Sequence, residues 1–182
     1  IPGGFNKREG KASEHAILTS RVIDRPMRPL FPKDYRNDVT LVNMVMSVDP
    51  ECNPEIPAML GSSIATCISD IPFDGPCATT QVGLIDGEFI INPTLAQKEV
   101  SELQLTVAST REKVIMIEAG AKEVPEDKMI EAIYKAHEVN QEIIKFIDKI
   151  VEECGKPKHS YESCAVPEEL FTAMKEIVPP EE

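Results

Sequence analysis

Apolar positions recur along this chain with two periods, and the points where the period changes mark its elements. From Ser13 onward Ile17, Leu18 and Val22 fall on one helical face, with Ser13 as N-cap and Glu14 in the first turn, so the spacing predicts a helix that Pro26 ends or kinks. Residues 38–48 switch to period two, Val39, Leu41 and Val45 alternating with Val42, Met44 and Met46. A β-rich run apolar on both faces predicts a central strand. Asn53 as N-cap and Pro54 in the first turn then open a second helix. Its Ile56, Met59, Leu60, Ile64 and Ile68 keep helical spacing, while Gly61, Ser62, Ser63 and Ala65 are small enough for close packing on a sheet.

Turn chemistry punctuates the next stretch. Asp74, Gly75 and Pro76 precede the run ATTQVGLI, and Asp86-Gly87 separates it from EFII, the strongest hairpin signal in the chain; Asn92-Pro93 closes it. The runs ELQLTVAS (102–109) and KVIMIEA (113–119) predict a second antiparallel pair, for a sheet of about five strands. Over residues 126–154 Met129, Ile133, Ala136, Asn140, Ile143, Ile147, Ile150 and Cys154 repeat at spacings of four and three, which predicts a long core-facing helix with Asn140 as the one polar member of its stripe. Glu131 with Lys135, and Lys149 with Glu153, read as exposed ion partners opposite that stripe. Gly155 and Pro157 stop this helix. A polar linker reaches Ala165, and a short helical run follows from Pro167.

Composition alters the picture in one respect. A net charge of −12 counts against a nucleic-acid partner, yet residues 1–36 hold eight basic side chains (Lys7, Arg8, Lys11, Arg21, Arg25, Arg28, Lys33, Arg36) against Glu9, Glu14, Asp24 and Asp34, leaving −16 on the remainder. One end is therefore suited to a polyanion, or the split is ordinary charge scatter. Five cysteines without a C-x-x-C pair argue against a disulfide framework and a zinc knuckle, and reduced thiols suggest a cytoplasmic protein. No apolar run is long enough to span a bilayer, so no membrane association is expected.

Candidate chemistry concentrates in the same first 36 residues. Phe5, Lys7 and Arg8 sit in a Pro-Gly-Gly loop, an aromatic and two cations that could stack a base and hold phosphates of single-stranded RNA. Arg21, Arg25 and Arg28, at spacings of four and three, form a stripe on the helix that follows. The bland alternative is a solvated arginine face salt-bridged to Asp24. Cys154, His159 and Cys164 lack a fourth ligand and a recurrent zinc spacing, and neither His15 nor His137 has a nucleophile at a telling position, so no metal or catalytic residue is assigned.

The segments IPGGFNKREGKASE and SRVIDRPMRPLFP, continuing through VNMVMSVDPECNPEIPAMLGSSIATCISDIPFDGP, VGLIDGEFIINPT and CGKPK, resemble the first RNase PH-like domain of bacterial polynucleotide phosphorylases over residues 1–160. The resemblance implies an α+β, RNase PH-like fold in which a mixed sheet packs against helices, with N-terminal strands missing. It divides the chain into residues 1–155, the truncated core domain, and 156–182, a linker and the start of an all-helical domain. It also implies a parent enzyme that degrades RNA from the 3' end by phosphorolysis, using inorganic phosphate and a magnesium ion, and that works as a homotrimer, with an RNA-degradation assembly as a further partner. The phosphate and metal site of that parent lies in a second core domain, so Phe5, Lys7 and Arg8 correspond to the channel-lining loop. The family commonly has two adjacent aromatics there, and this chain has Phe5 followed by Asn6. Two other readings stand beside this one, a catalytically silent RNA-binding and oligomerisation module and a structural scaffold without RNA affinity.

Overall fold

The computed structural model describes residues 12–177. Helix α1 (Glu14–Met27) starts where Ser13 Oγ accepts a hydrogen bond from the Ala16 amide at 3.1 Å. Pro26 does not end it. The helix runs through the proline to Met27, the Arg28 amide donates to the Asp24 carbonyl, and one 3-10 turn (Arg28–Leu30) follows. Its buried face is Ile23, Pro26 and Met27, while Ile17 and Leu18, expected inside, are exposed. The C-terminal half of α1 supplies its buried apolar face, while the N-terminal half meets α2 through polar side chains, His15 and Thr19, at Glu55.

Residues 38–48 form no strand. They join no ladder among the described residues, and Val42, Met44, Val45, Met46 and Val48 are exposed. The reason is that a strand is stable only where a neighbour satisfies its backbone groups, and alternation cannot supply that neighbour. The segment is tied down by its polar member, Asn43, whose Oδ1 accepts from Ser62 Oγ at 3.0 Å. Helix α2 (Glu55–Ile68) follows, with Pro54 in the capping position and Asn53 Oδ1 accepting from the Glu55 amide at 3.0 Å.

The sheet has four strands in the order β2-β1-β3-β4: β1 (Ala78–Ile85), β2 (Glu88–Ile91), β3 (Leu103–Ser109) and β4 (Val114–Ala121). All three pairings are antiparallel, instead of a mixed sheet of about five strands. The β1–β2 hairpin turns at Asp86 and Gly87, both at positive φ (50° and 81°), the backbone a two-residue turn requires to match strand twist. Asn92 closes it through both its backbone N–H and its side-chain Oδ1, which engage the Gln81 backbone. Between β2 and β3 lies α3 (Leu95–Val100), closed by a capping box of Thr94 and Gln97. Sequence reading missed it because fewer than two turns carry no measurable periodicity.

Helix α4 (Glu126–Cys154) covers one face of the sheet. Val82, Leu84, Leu103, Leu105 and Val107 pack there against Ala132 and Ala136, whose small side chains bring the helix close. The expected stripe is rotated: Ala132, Ala136, Asn140, Ile144 and Ile147 are buried, Ile133, Ile143 and Ile150 lie at its margin, and Cys154 is exposed. Glu131 pairs with Lys128 at 2.8 Å and not with Lys135. Against the other face sit Ile23 and Met27 of α1 and Ile56 and Met59 of α2, over Cys77, Ala108 and Met116. Residues 155–165 carry no regular structure yet lie against the C-terminal end of α2, and α5 (Glu168–Ile177) follows with Leu170, Phe171 and Met174 exposed.

Candidate nucleic-acid interface

Of the six residues proposed to contact RNA, Phe5, Lys7 and Arg8 lie outside the described residues. Arg21 and Arg25 on α1 and Arg28 at its C-cap are all exposed. Their partners differ. Arg28 makes a forked contact with Asp24 one turn earlier, Nε to Oδ2 at 3.0 Å and Nη2 to Oδ1 at 2.8 Å. Arg25 crosses to Glu118 of β4 at 3.6 Å, an ion pair with both members about half exposed. Arg21 has no ion pair or side-chain hydrogen bond among the described residues. Exposed pairs of this kind hold their cations loosely, because solvent and salt screen them, so an incoming phosphate can compete for Arg25 and Arg28.

Two hollows flank α1, and sequence reading found neither. The first, of about 490 Å³, opens between α1, the N-terminal end of α2 and residues 39–45. Glu55 organises its wall: Thr19 Oγ1 donates to Oε1 at 3.2 Å, Asn53 Nδ2 to Oε2 at 2.7 Å, and His15 Nε2 lies 3.2 Å from Oε1. The second, of about 400 Å³, lies over the far end of the sheet, where the face turns polar at Gln81, Gln104 and Thr106. Lys98 enters it from α3, and burial pulls its ammonium below the usual 10.5, with Glu55 opposing. Gln81 Nε2 reaches Thr106 Oγ1 at 3.3 Å and Gln104 Nε2 the Lys98 carbonyl at 3.2 Å, so these amides are already engaged. The only sequence signal for either site was the Asn53-Pro54-Glu55 opening of α2.

Among the described residues no three His, Cys, Asp or Glu side chains converge as a metal site needs. The carboxylates beside α1 are already engaged, Asp24 by Arg28 and Glu55 by Thr19 and Asn53, and Lys98 adds a positive charge where a magnesium ion would need oxygen ligands. His159, weighed as a ligand, sits beside Tyr35, its Nε2 3.4 Å from the hydroxyl, while Cys154 and Cys164 are exposed. No described helix is long and apolar enough to cross a membrane. What this surface can do chemically is hold anions through exposed guanidinium groups on a rigid helix.

Comparison with known proteins gives a consistent result. Residues 2–72 match the family model described as 3' exoribonuclease family, domain 1, and residues 75–139 match domain 2 of the same family. The chain is 78% identical over all 182 residues to the polyribonucleotide nucleotidyltransferase of Lachnoclostridium phytofermentans, and 60% identical over 177 residues to that of Ruminiclostridium cellulolyticum. It spans about a quarter of the length of these relatives, 26% and 25%. Among solved structures, rice (Oryza sativa) Rrp46 superposes with a TM-score of 0.61 at 12% identity, over 79% of this chain and 68% of that one, a likeness of fold.

Proposed function

The chain belongs to the 3' exoribonuclease family, and from that membership we propose that it is the RNA-guiding and assembly part of an enzyme that shortens RNA from the 3' end by phosphorolysis. The observation that carries this reading is the row of three exposed arginines, Arg21 and Arg25 on α1 and Arg28 at its C-cap. The loop holding Phe5, Lys7 and Arg8 stacks a base and neutralises phosphates, and α1 extends the cationic track. None of these contacts reads base identity, which suits an enzyme that advances one nucleotide per turnover.

On this reading the segment contributes neither the nucleophile nor the magnesium site. In the parent reaction inorganic phosphate attacks the terminal phosphodiester and releases a nucleoside diphosphate, and a bound magnesium ion would stabilise the added negative charge. That chemistry belongs to a part of the protein beyond these residues, so this segment holds and orients the strand. Residues 1–155 serve as the core domain and 156–182 lead into a helical domain. Residues 38–48, alternating but unpaired, are completed by strands from elsewhere in the protein, which works as a homotrimer in the cytoplasm, within or beside an RNA-degradation assembly.

A scaffold without RNA affinity is the second reading, supported by the carboxylates already facing Arg25 and Arg28. Binding of a short fluorescent oligoadenylate at two salt concentrations separates the two, with phosphorolysis of the same RNA assayed alongside in phosphate and magnesium. Salt-sensitive binding that weakens on replacing Lys7 and Arg8 by alanine, without nucleoside diphosphate release, supports the guiding role. Retention unchanged by these substitutions removes the loop as a contact. Phosphorolysis by the chain itself places the active site within it and overturns the division of labour.

A further inference from the structure

Residues 155–165 cross the C-terminal end of α2 and the turn at Asp34-Tyr35 as a strap held almost wholly by polar clips. The Lys156 amide donates to the Ile68 carbonyl at 3.0 Å and the His159 amide to the Asp70 carbonyl at 2.7 Å. Between them Lys158 Nζ caps α2, donating to the carbonyls of Thr66 (3.1 Å), Cys67 (2.9 Å) and Ser69 (2.7 Å) at the helix end, where a cation is favoured. Further along, the Asp34 carboxylate collects Tyr161 Oη at 2.8 Å and Ser163 Oγ at 2.5 Å, and its backbone carbonyl accepts from the Cys164 amide at 3.3 Å. Tyr35 stands edge-on to Tyr161 at 5.1 Å and near the His159 ring at 5.9 Å. His159 and Tyr161 are half-buried, and every other strap residue is exposed.

We infer that this strap is a charge-operated latch, in which Asp34 holds residues 161–164 down and added negative charge at Ser163 releases the strap together with α5 while the sheet stays folded. The physical basis is the mismatch between the two ends of the attachment. The sheet and α4 are held by interdigitated apolar side chains, whereas the strap depends on hydrogen bonds at the surface, and segments with few apolar contacts open locally at lower free energy than the core. Asp34 is the single acceptor for two separate hydroxyls, so one charge decides both clips. A second anion at Ser163 would face that carboxylate directly, with Arg36 as its nearby compensation. Opening changes the direction in which the chain leaves the core toward α5, whose Leu170, Phe171 and Met174 are exposed.

Hydrogen exchange on the intact protein, read at the amides of Lys156, His159 and Cys164 and at those of β1 and β3, tests the latch. Wild-type strap amides are expected to exchange faster than sheet amides. Ser163→Ala should speed strap exchange by roughly threefold and Ser163→Asp by about tenfold or more, with β1 and β3 unchanged. Lys158→Met should loosen the α2 end without exposing Cys164. Strap amides that exchange at the sheet rate, and shift with it in every variant, make the strap part of the cooperative core and overturn the inference. Equal exchange in Ser163→Ala and Ser163→Asp overturns the charge operation.

Discussion

Asn140 offers the sharpest test of how the two layers are joined. It is fully buried in the centre of the α4 stripe, where its Oδ1 accepts from Thr80 Oγ1 at 2.7 Å and its Nδ2 donates to the Val107 carbonyl at 3.1 Å and to Ser109 Oγ at 3.0 Å. One amide thus ties the helix to β1 and β3 in a site without water access. Asn140→Leu keeps the volume and removes all three bonds, leaving the Thr80 and Ser109 hydroxyls and the Val107 carbonyl each short of a partner. At about 1 kcal/mol per bond, with part of the desolvation penalty added and the apolar gain of leucine subtracted, the loss comes to roughly 3 kcal/mol. With a urea dependence of about 2 kcal/mol per molar, the midpoint falls by about 1.5 M in a denaturation followed by circular dichroism. Thr80→Val should cost roughly 1 to 2 kcal/mol. The Thr80→Val and Asn140→Leu double variant should cost at least about 1 kcal/mol less than the sum, because the group orphaned by one change is deleted by the other. A single variant within about 0.5 kcal/mol of wild type, or strict additivity, would refute the claim that Asn140 is a structural tie.

Three further outcomes follow from other parts of the fold. Gly87→Ala, at φ 81° in the β1–β2 turn, should destabilise by about 1 kcal/mol in the same urea assay, since a Cβ is disfavoured there. Under native conditions a thiol reagent should modify Cys52, Cys154 and Cys164 promptly and reach Cys67 and Cys77 only on unfolding, because burial removes access and pushes the Cys67 thiol up to about 11 and the Cys77 thiol above its usual 9.0; mass spectrometry counts the adducts. Asp34 is held below its ordinary 3.8 by the hydrogen bonds from Ser163 and Tyr161, so its stabilising contribution is fully present above that value and is lost as pH falls through the lower folded-state pKa. The stability difference between wild type and Asp34→Ala should accordingly be flat near neutrality and close only in acid, as read by urea midpoints across pH.

Local chemistry made much of the fold legible. Asp86-Gly87 specifies its turn because positive φ at both positions suits few other residue pairs, and it was placed correctly, as were both flanking strands. Ser13 as N-cap and the span of α4 were equally readable, because caps and helical periods are written by residues within a few positions of one another. Family membership was legible from the opening motifs, and the family comparisons bear it out. What failed to read locally depended on partners far along the chain. Residues 38–48 have the alternation of a strand and no neighbour to bond among the described residues, so pattern alone overstated them.

Arg25 and Arg28 looked equivalent on a helical wheel, and only the approach of β4 gave one a carboxylate from another element while the other kept Asp24 from its own helix. The strap across Asp34 was equally invisible, since its clips join residues 127 and 129 positions apart. By itself the sequence determined the β1–β2 hairpin, the span of α4 and the family, because these rest on neighbours within a turn or on matched motifs. The tertiary structure alone decided which face of α4 is buried, which cations are engaged and where residues 155–165 lie, because burial and pairing are properties of segments brought together from distant parts of the chain.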